Sequence, residues 1–177
     1  VLPLAYPFLP LQLSLLSAAT IGTPAFFLAL EPNHERVHGR FISNVLRAAL
    51  PGGVTDFLLV FLAQGFCFAF DLPSDYLGTI STIVVLTVGL LVLWGVCRPF
   101  NTWHWVLWGA MAVIGYGGAL LLAPWLGLVK LNLGGVLVLV ALLGLAGPTL
   151  FGISMLNTRI HGAVGEVQDK RRQRRKA

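Results

Sequence analysis

The sequence predicts an all-α membrane protein, a five-helix transmembrane bundle whose first span is a proline-broken helix. Three observations lead there. Of the 177 residues, 56% are hydrophobic and only 11% charged, against roughly 25% charged in an average soluble domain. The charges are gathered into short segments, and the apolar runs between them can cross a hydrocarbon layer of about 30 Å at about 1.5 Å per helical residue. The first of these runs, residues 11–30, holds no charge but carries Ser14, Ser17, Thr20, Gly22, Thr23 and Pro24 in its middle. Pro24 has no N–H for the carbonyl of Thr20, and its ring crowds that carbonyl. Polar backbone is tolerated at membrane depth mainly where protein or a water-filled cavity covers it, and broken helices of this kind are where transported ions bind.

The elements follow in order. Residues 1–9 are a proline-broken lead-in, with Tyr6 and Phe8 suited to the interface. Span one covers 11–30 and stops at Glu31-Pro32-Asn33. A polar loop over 31–53 holds a short amphipathic helix at 41–50, expected to lie along the membrane surface with Phe41, Val45, Leu46 and Ala49 on one face. Pro51-Gly52-Gly53 is expected to break the chain before span two, at 54–70. Span three covers 77–96, span four 103–125 and span five 131–156, with Gly144, Gly147 and Pro148 expected to bend the last. Residues 1–156 thus form one transmembrane unit and 157–177 a basic tail.

The basic residues orient the bundle. Arg36, Arg40, Arg47, Arg98, Arg159 and the six basic residues of the tail fall on one side, and Lys130 alone on the other. By the positive-inside rule the crowded side is the cytoplasm, so the N-terminus lies outside and the C-terminus inside a plasma membrane crossed several times. Cys67 and Cys97 fall towards opposite faces, too far apart for the roughly 7 Å a disulfide spans. A start at Val1 and an odd number of spans lead us to expect a fragment of a longer chain. The tail is expected to touch anionic lipid rather than nucleic acid, since no base-reading fold accompanies it.

The string Pro10-Leu-Gln-Leu-Ser-Leu-Leu-Ser-Ala-Ala-Thr20-Ile-Gly-Thr-Pro24-Ala-Phe-Phe-Leu-Ala-Leu-Glu-Pro-Asn33 resembles the sixth transmembrane helix of P-type cation-transporting ATPases. Pro10, Gln12, Leu13, Thr20, Gly22, Pro24, Ala25 and Pro32 stand in register with the family pattern. The ending Thr23-Pro-Ala-Phe-Phe-Leu-Ala-Leu-Glu-Pro-Asn33 is similar to the bacterial calcium-linked branch. The loop, the four further spans and the basic tail match the sixth to tenth helices of such a pump in order. The resemblance implies an enzyme part, a cation-translocating ATP hydrolase that transports a cation, with calcium the candidate. The Asp-Lys-Thr-Gly-Thr phosphorylation motif and the nucleotide-binding domain are absent from this chain. ATP and Mg2+ would therefore be handled by upstream domains, and the partners are membrane lipids together with the upstream helices and cytoplasmic domains of the parent.

Residue by residue, Thr20 matches the family's liganding threonine, and Ser17 stands where calcium pumps carry an asparagine. Ile21 stands where they place an acidic ligand, so the carboxylate that a hard divalent ion favours must come from elsewhere. Asp56, the one acidic residue inside a span, is a third candidate metal ligand, though in the first turn of span two it would equally cap the helix. Ser17 and Thr20 could instead hydrogen-bond neighbouring helices, as hydroxylated residues often do in membranes. His34 and His38, four apart, could hold a transition metal but sit in a charged, glycine-containing loop that reads as solvated. Trp103, Trp105, Trp108 and Trp125 read as an aromatic belt, and Gly115 with Ala119 as a close packing face. The reading from a different functional class is a self-contained multi-pass scaffold or accessory subunit without transport chemistry.

Overall fold

One helix organises the others. The computed structural model describes residues 8–30, 41–97 and 102–174, and all their regular structure is helical. The first span is α1 (Pro10–Ser17), a π-helical turn (Ala18–Gly22) and α2 (Thr23–Ala29). It is followed by α3 (Phe41–Ala69), α4 (Ser74–Val96), α5 (Thr102–Leu121) and α6 (Leu133–Arg174). Five segments are long and apolar enough to cross a membrane: Pro10–Ala29, Ala48–Ala69, Asp75–Val96, Thr102–Leu121 and Leu133–Arg159. The five-span reading holds among the described residues.

Half of the α4 window is buried inside the bundle, against 17–28% for the other four. The reason is that α4 serves two cores. On one side Leu77, Ile80, Val84 and Val88 meet Leu59, Ala63 and Cys67 of α3 and Val138, Leu142 and Ala146 of α6. On the other, Leu86, Leu90, Leu93 and Cys97 meet Leu16 and Ala19 of the first span and Leu107 and Met111 of α5. The cysteines thus sit in different cores, as the spacing argument requires. The outer faces stay apolar and open, with Phe57, Phe61, Leu120, Leu137 and Phe151 all more than half exposed, as lipid-facing side chains should be.

Contact between helices depends on small residues, because lipid is as apolar as leucine and gives helices little reason to associate. A Cβ on Gly115 would lie 2.8 Å from Leu86 Cδ1, and one on Gly52 would lie 2.9 Å from Val92 Cγ2. Gly115 and Ala119 are both buried on α5, so the expected packing face forms. Trp108 is less a belt residue than a strut. Its indole N–H donates to the Leu90 carbonyl at 2.9 Å, and its ring meets Trp94 edge-on.

Two expectations about helix ends give way. α3 runs unbroken through Pro51, Gly52 and Gly53, so the helix begun at Phe41 and span two are one element. Packing explains it: Gly52 fits closely against Val92 of α4, and the Thr55 hydroxyl donates to the Pro51 carbonyl at 2.6 Å. α6 extends to Arg174, past residue 156 where span five was expected to end, and its 42 residues make about 63 Å of helix. At Pro51 and Gly52 the contact with α4 overrides local helix propensity.

Candidate cation site

The first span breaks where Pro24 predicts, and the form of the break is a widened turn. The Thr23 N–H donates to the carbonyl of Ala18, five residues back rather than four. Inserting one residue into the turn accommodates the proline ring without ending the helix, and π turns of this kind recur at functional sites.

Gln12 anchors the span at its start. It is 1% exposed. Its Oε1 accepts the Leu9 N–H at 3.0 Å, and its Nε2 donates to the Leu126 carbonyl at 2.7 Å. One side chain therefore caps α1 and ties it to the connection before α6, where Gly127 takes a left-handed φ of 64°. That connection is held to α4 as well, since the Val129 N–H donates to Thr79 Oγ1 at 3.0 Å. Sequence reasoning assigned Gln12 no task. The signal was present: proline at the first helical position with glutamine two residues on is a capping pattern.

Thr20 and Ser17 leave the π turn in different directions. The Thr20 hydroxyl donates to the Leu16 carbonyl at 2.7 Å, which keeps the oxygen's lone pairs for another partner. Its methyl side fits so closely against α4 that a Cβ on Gly89 would stand 2.5 Å from Thr20 Cγ2. Ser17 is exposed on the bundle's outer face, as are Ser14 and Ile21, the last at 67%. A stripe carrying two hydroxyls beside the π turn therefore looks away from α4 and α5.

Asp56 is elsewhere. It lies well inside α3, fifteen residues from that helix's first residue, so it does not cap the helix as a first-turn residue would. α3 packs on the Val84 and Val88 side of α4, whereas the first span packs on the Leu86 and Leu90 side. Thr20 faces α4 and Ser17 the outer surface of the same span, while Asp56 lies on α3, which packs against the other side of α4. Asp56 Oδ1 is buried, and no hydrogen-bond partner reaches it among the described residues. Among those residues no three His, Cys, Asp or Glu side chains gather into a metal-binding group. His34 and His38 lie outside the described residues.

The chain was compared with known proteins. It is 34% identical over 118 residues to the calcium-transporting ATPase CtpE of Mycolicibacterium smegmatis, covering 64% of this chain and 15% of that protein. It is 33% identical over 109 residues to the calcium-transporting ATPase CtpE of Mycobacterium bovis, covering 59% of this chain and 14% of that one. A probable cation-transporting ATPase, exp7 of Streptococcus pneumoniae, matches at 26% over 104 residues, 59% of this chain and 13% of its own length. This chain thus spans only about 15% of the first of these relatives. No family model and no solved structure matches. Over the greater part of its length, this membrane bundle is homologous to the cation-transporting P-type ATPases.

Proposed function

We propose that this chain is the C-terminal transmembrane part of an ATP-driven P-type cation pump, and that its cargo is calcium. The observation carrying the reading is the π turn of the first span, with the Thr20 hydroxyl within it and the Ser17 hydroxyl on the residue just before it. In this reading Ser17 and Thr20 donate oxygens to the transported cation, and Asp56 serves as a more distant acidic group on the α3 side. Two hydroxyls fall short of the six to eight oxygens calcium takes. The outward stripe of Ser14, Ser17 and Ile21 is where upstream helices of the parent would add the rest, including a carboxylate that Ile21 cannot provide.

α3 to α6 support this span. ATP, Mg2+ and the phosphorylated aspartate belong to upstream cytoplasmic domains of the parent, whose phosphorylation would switch which side of the membrane reaches the site. The parent sits in the plasma membrane, with the start of this chain outside and the basic tail in the cytoplasm.

The test is made in the full-length parent. Thr20→Val removes the hydroxyl but keeps the shape against Gly89, whereas Thr20→Ser keeps the hydroxyl. Calcium-dependent phosphorylation should need a calcium concentration at least about tenfold higher in Thr20→Val, equivalent to about 1.4 kcal/mol, and should be restored in Thr20→Ser. Equal calcium dependence in Thr20→Val and the unsubstituted parent would remove Thr20 from the site.

A further inference from the structure

Two polar side chains of α3 lack a partner among the described residues. Asp56 Oδ1 is buried and no hydrogen bond reaches it, and none reaches the Gln64 amide, two turns further along the same helix. Asp56, Val60 and Gln64 make one half-buried stripe at a spacing of four residues. The opposite shoulder of α3, at Ala48 and Pro51, lines the gap towards α6. Asp56 stands five residues past Pro51, about 140° around the helix, so the stripe looks away from α6. It looks to the side of α4 where the first span sits. α3 and the first span belong to separate cores, yet they reach neighbouring positions of α4, Gly52 against Val92 and Thr20 against Gly89. Between them Val85, Gly89 and Val92 of α4 stay half-buried, the floor of a cleft. Depth agrees as well. α3 and α4 are antiparallel, joined by the short connection 70–73. Asp56 lies four residues from Gly52 and Gly89 three from Val92, both towards that connection, so Asp56 and Thr20 differ in level by only about 2 Å.

We propose that an upstream transmembrane helix of the parent chain fills this cleft, with two hydrogen-bonding side chains about 12 Å apart along its axis that meet Asp56 and Gln64. The proposal rests on the reading of this chain as part of a pump, and it gives a missing helix its seat, against α4 at the level of Thr20. Polarity selects the occupant. Acyl chains in the cleft would leave a carboxyl oxygen and an amide unanswered in hydrocarbon, which costs several kcal/mol per group. A second copy of the bundle offers nothing better, since its outer faces carry Phe57, Phe61, Leu120 and Phe151, none of which donates a hydrogen bond. An upstream helix has room in the parent, because this chain spans only about 15% of the first relative it matches.

The test is made in the full-length parent and does not use transport. Val60 is replaced by the photo-crosslinker p-benzoylphenylalanine, membranes are irradiated, and crosslinked peptides are identified by mass spectrometry. The expected product is a crosslink within one chain to a peptide that precedes Val1. The same replacement at Leu58, which is 40% exposed and lies seven residues past Pro51 on the same shoulder, should give no crosslink to that peptide. Gln64→Leu is the second arm. With a partner helix in the cleft it should lower the thermal midpoint by several degrees, because the partner's polar group is left unpaired. A Gln64 that faced lipid would leave the midpoint unchanged or raised. Crosslinks from residue 60 to lipid alone or to a second copy would overturn the proposal, and so would a Gln64→Leu midpoint that does not fall. Either failure leaves the calcium dependence of Thr20→Val untouched, and that measurement judges the transport reading separately.

Discussion

Gln12 and Ser14 lie two residues apart on α1, and both make hydrogen bonds, yet their substitution should have very different results. The Gln12 amide is buried and satisfies two backbone groups on separate segments, Leu9 N–H and the Leu126 carbonyl. Ser14 is exposed and returns its hydroxyl to the Pro10 carbonyl of its own helix at 3.1 Å. Removing one partner from a buried pair leaves the other unsatisfied, at about 1–3 kcal/mol per group. Gln12→Leu should therefore lower the thermal midpoint of the detergent-solubilised parent by several degrees, whereas Ser14→Ala should leave it within error. Equal midpoints for the two variants would show that the Leu126 tie does not hold the span. Gln12 was in view in the sequence only as part of a family string. Its local cap could have been read from Pro10 and Gln12, but its bond to Leu126, 114 residues away, has no signature along the chain.

At the scale of the element, the break in the first span was legible and its geometry was not. Pro24 dictates that a backbone bond be lost, but whether the helix ends, kinks or takes up a π turn is decided by what packs on it. Here α4 presses on the turn at Gly89, so the chain stays helical. Pro51 shows the same limit, since the expected interruption of α3 is overridden by Gly52 meeting Val92. The contact at Gly89 can be tested apart from ion binding. Gly89→Ala places a Cβ 2.5 Å from Thr20 Cγ2, and the first span must shift to admit it. Overpacking of that kind costs about 1–3 kcal/mol, so the thermal midpoint should fall. Gly53→Ala, with nothing within 4 Å, should leave it unchanged or slightly raised by helix propensity. Combining Gly89→Ala with Thr20→Ser deletes the nearest methyl while keeping the candidate ligand oxygen, and should recover part of the loss. No recovery would mean that the close approach at residue 89 is not set by Thr20.

For the whole molecule, hydropathy counted the spans but could not arrange them. Asp75–Val96 and Leu133–Arg159 have nearly equal mean hydropathy, 2.3 and 2.4, yet 50% of the first window is buried and 17% of the second. Lipid and protein interior ask for the same apolar surface, so hydrophobicity does not separate the central helix from a peripheral one. Small and hydroxylated residues, common at helix contacts in membranes, do not separate them either: Thr79, Ser81 and Thr82 of α4 are buried, whereas Gly144, Gly152 and Ser154 of α6 are exposed. Orientation rests on a different signal again, the imbalance of eleven basic residues against one, and it is open to direct measurement. Cys67 and Cys97 are 7% and 0% exposed, so a membrane-impermeant maleimide should leave the unsubstituted bundle region unlabelled in intact cells. Pro124 is exposed in the turn between α5 and α6, and Pro124→Cys should label from outside. Ala177→Cys, in the tail, should label only after the membrane is permeabilised. The reverse pattern would invert the bundle and put the basic helix ends in the outer leaflet.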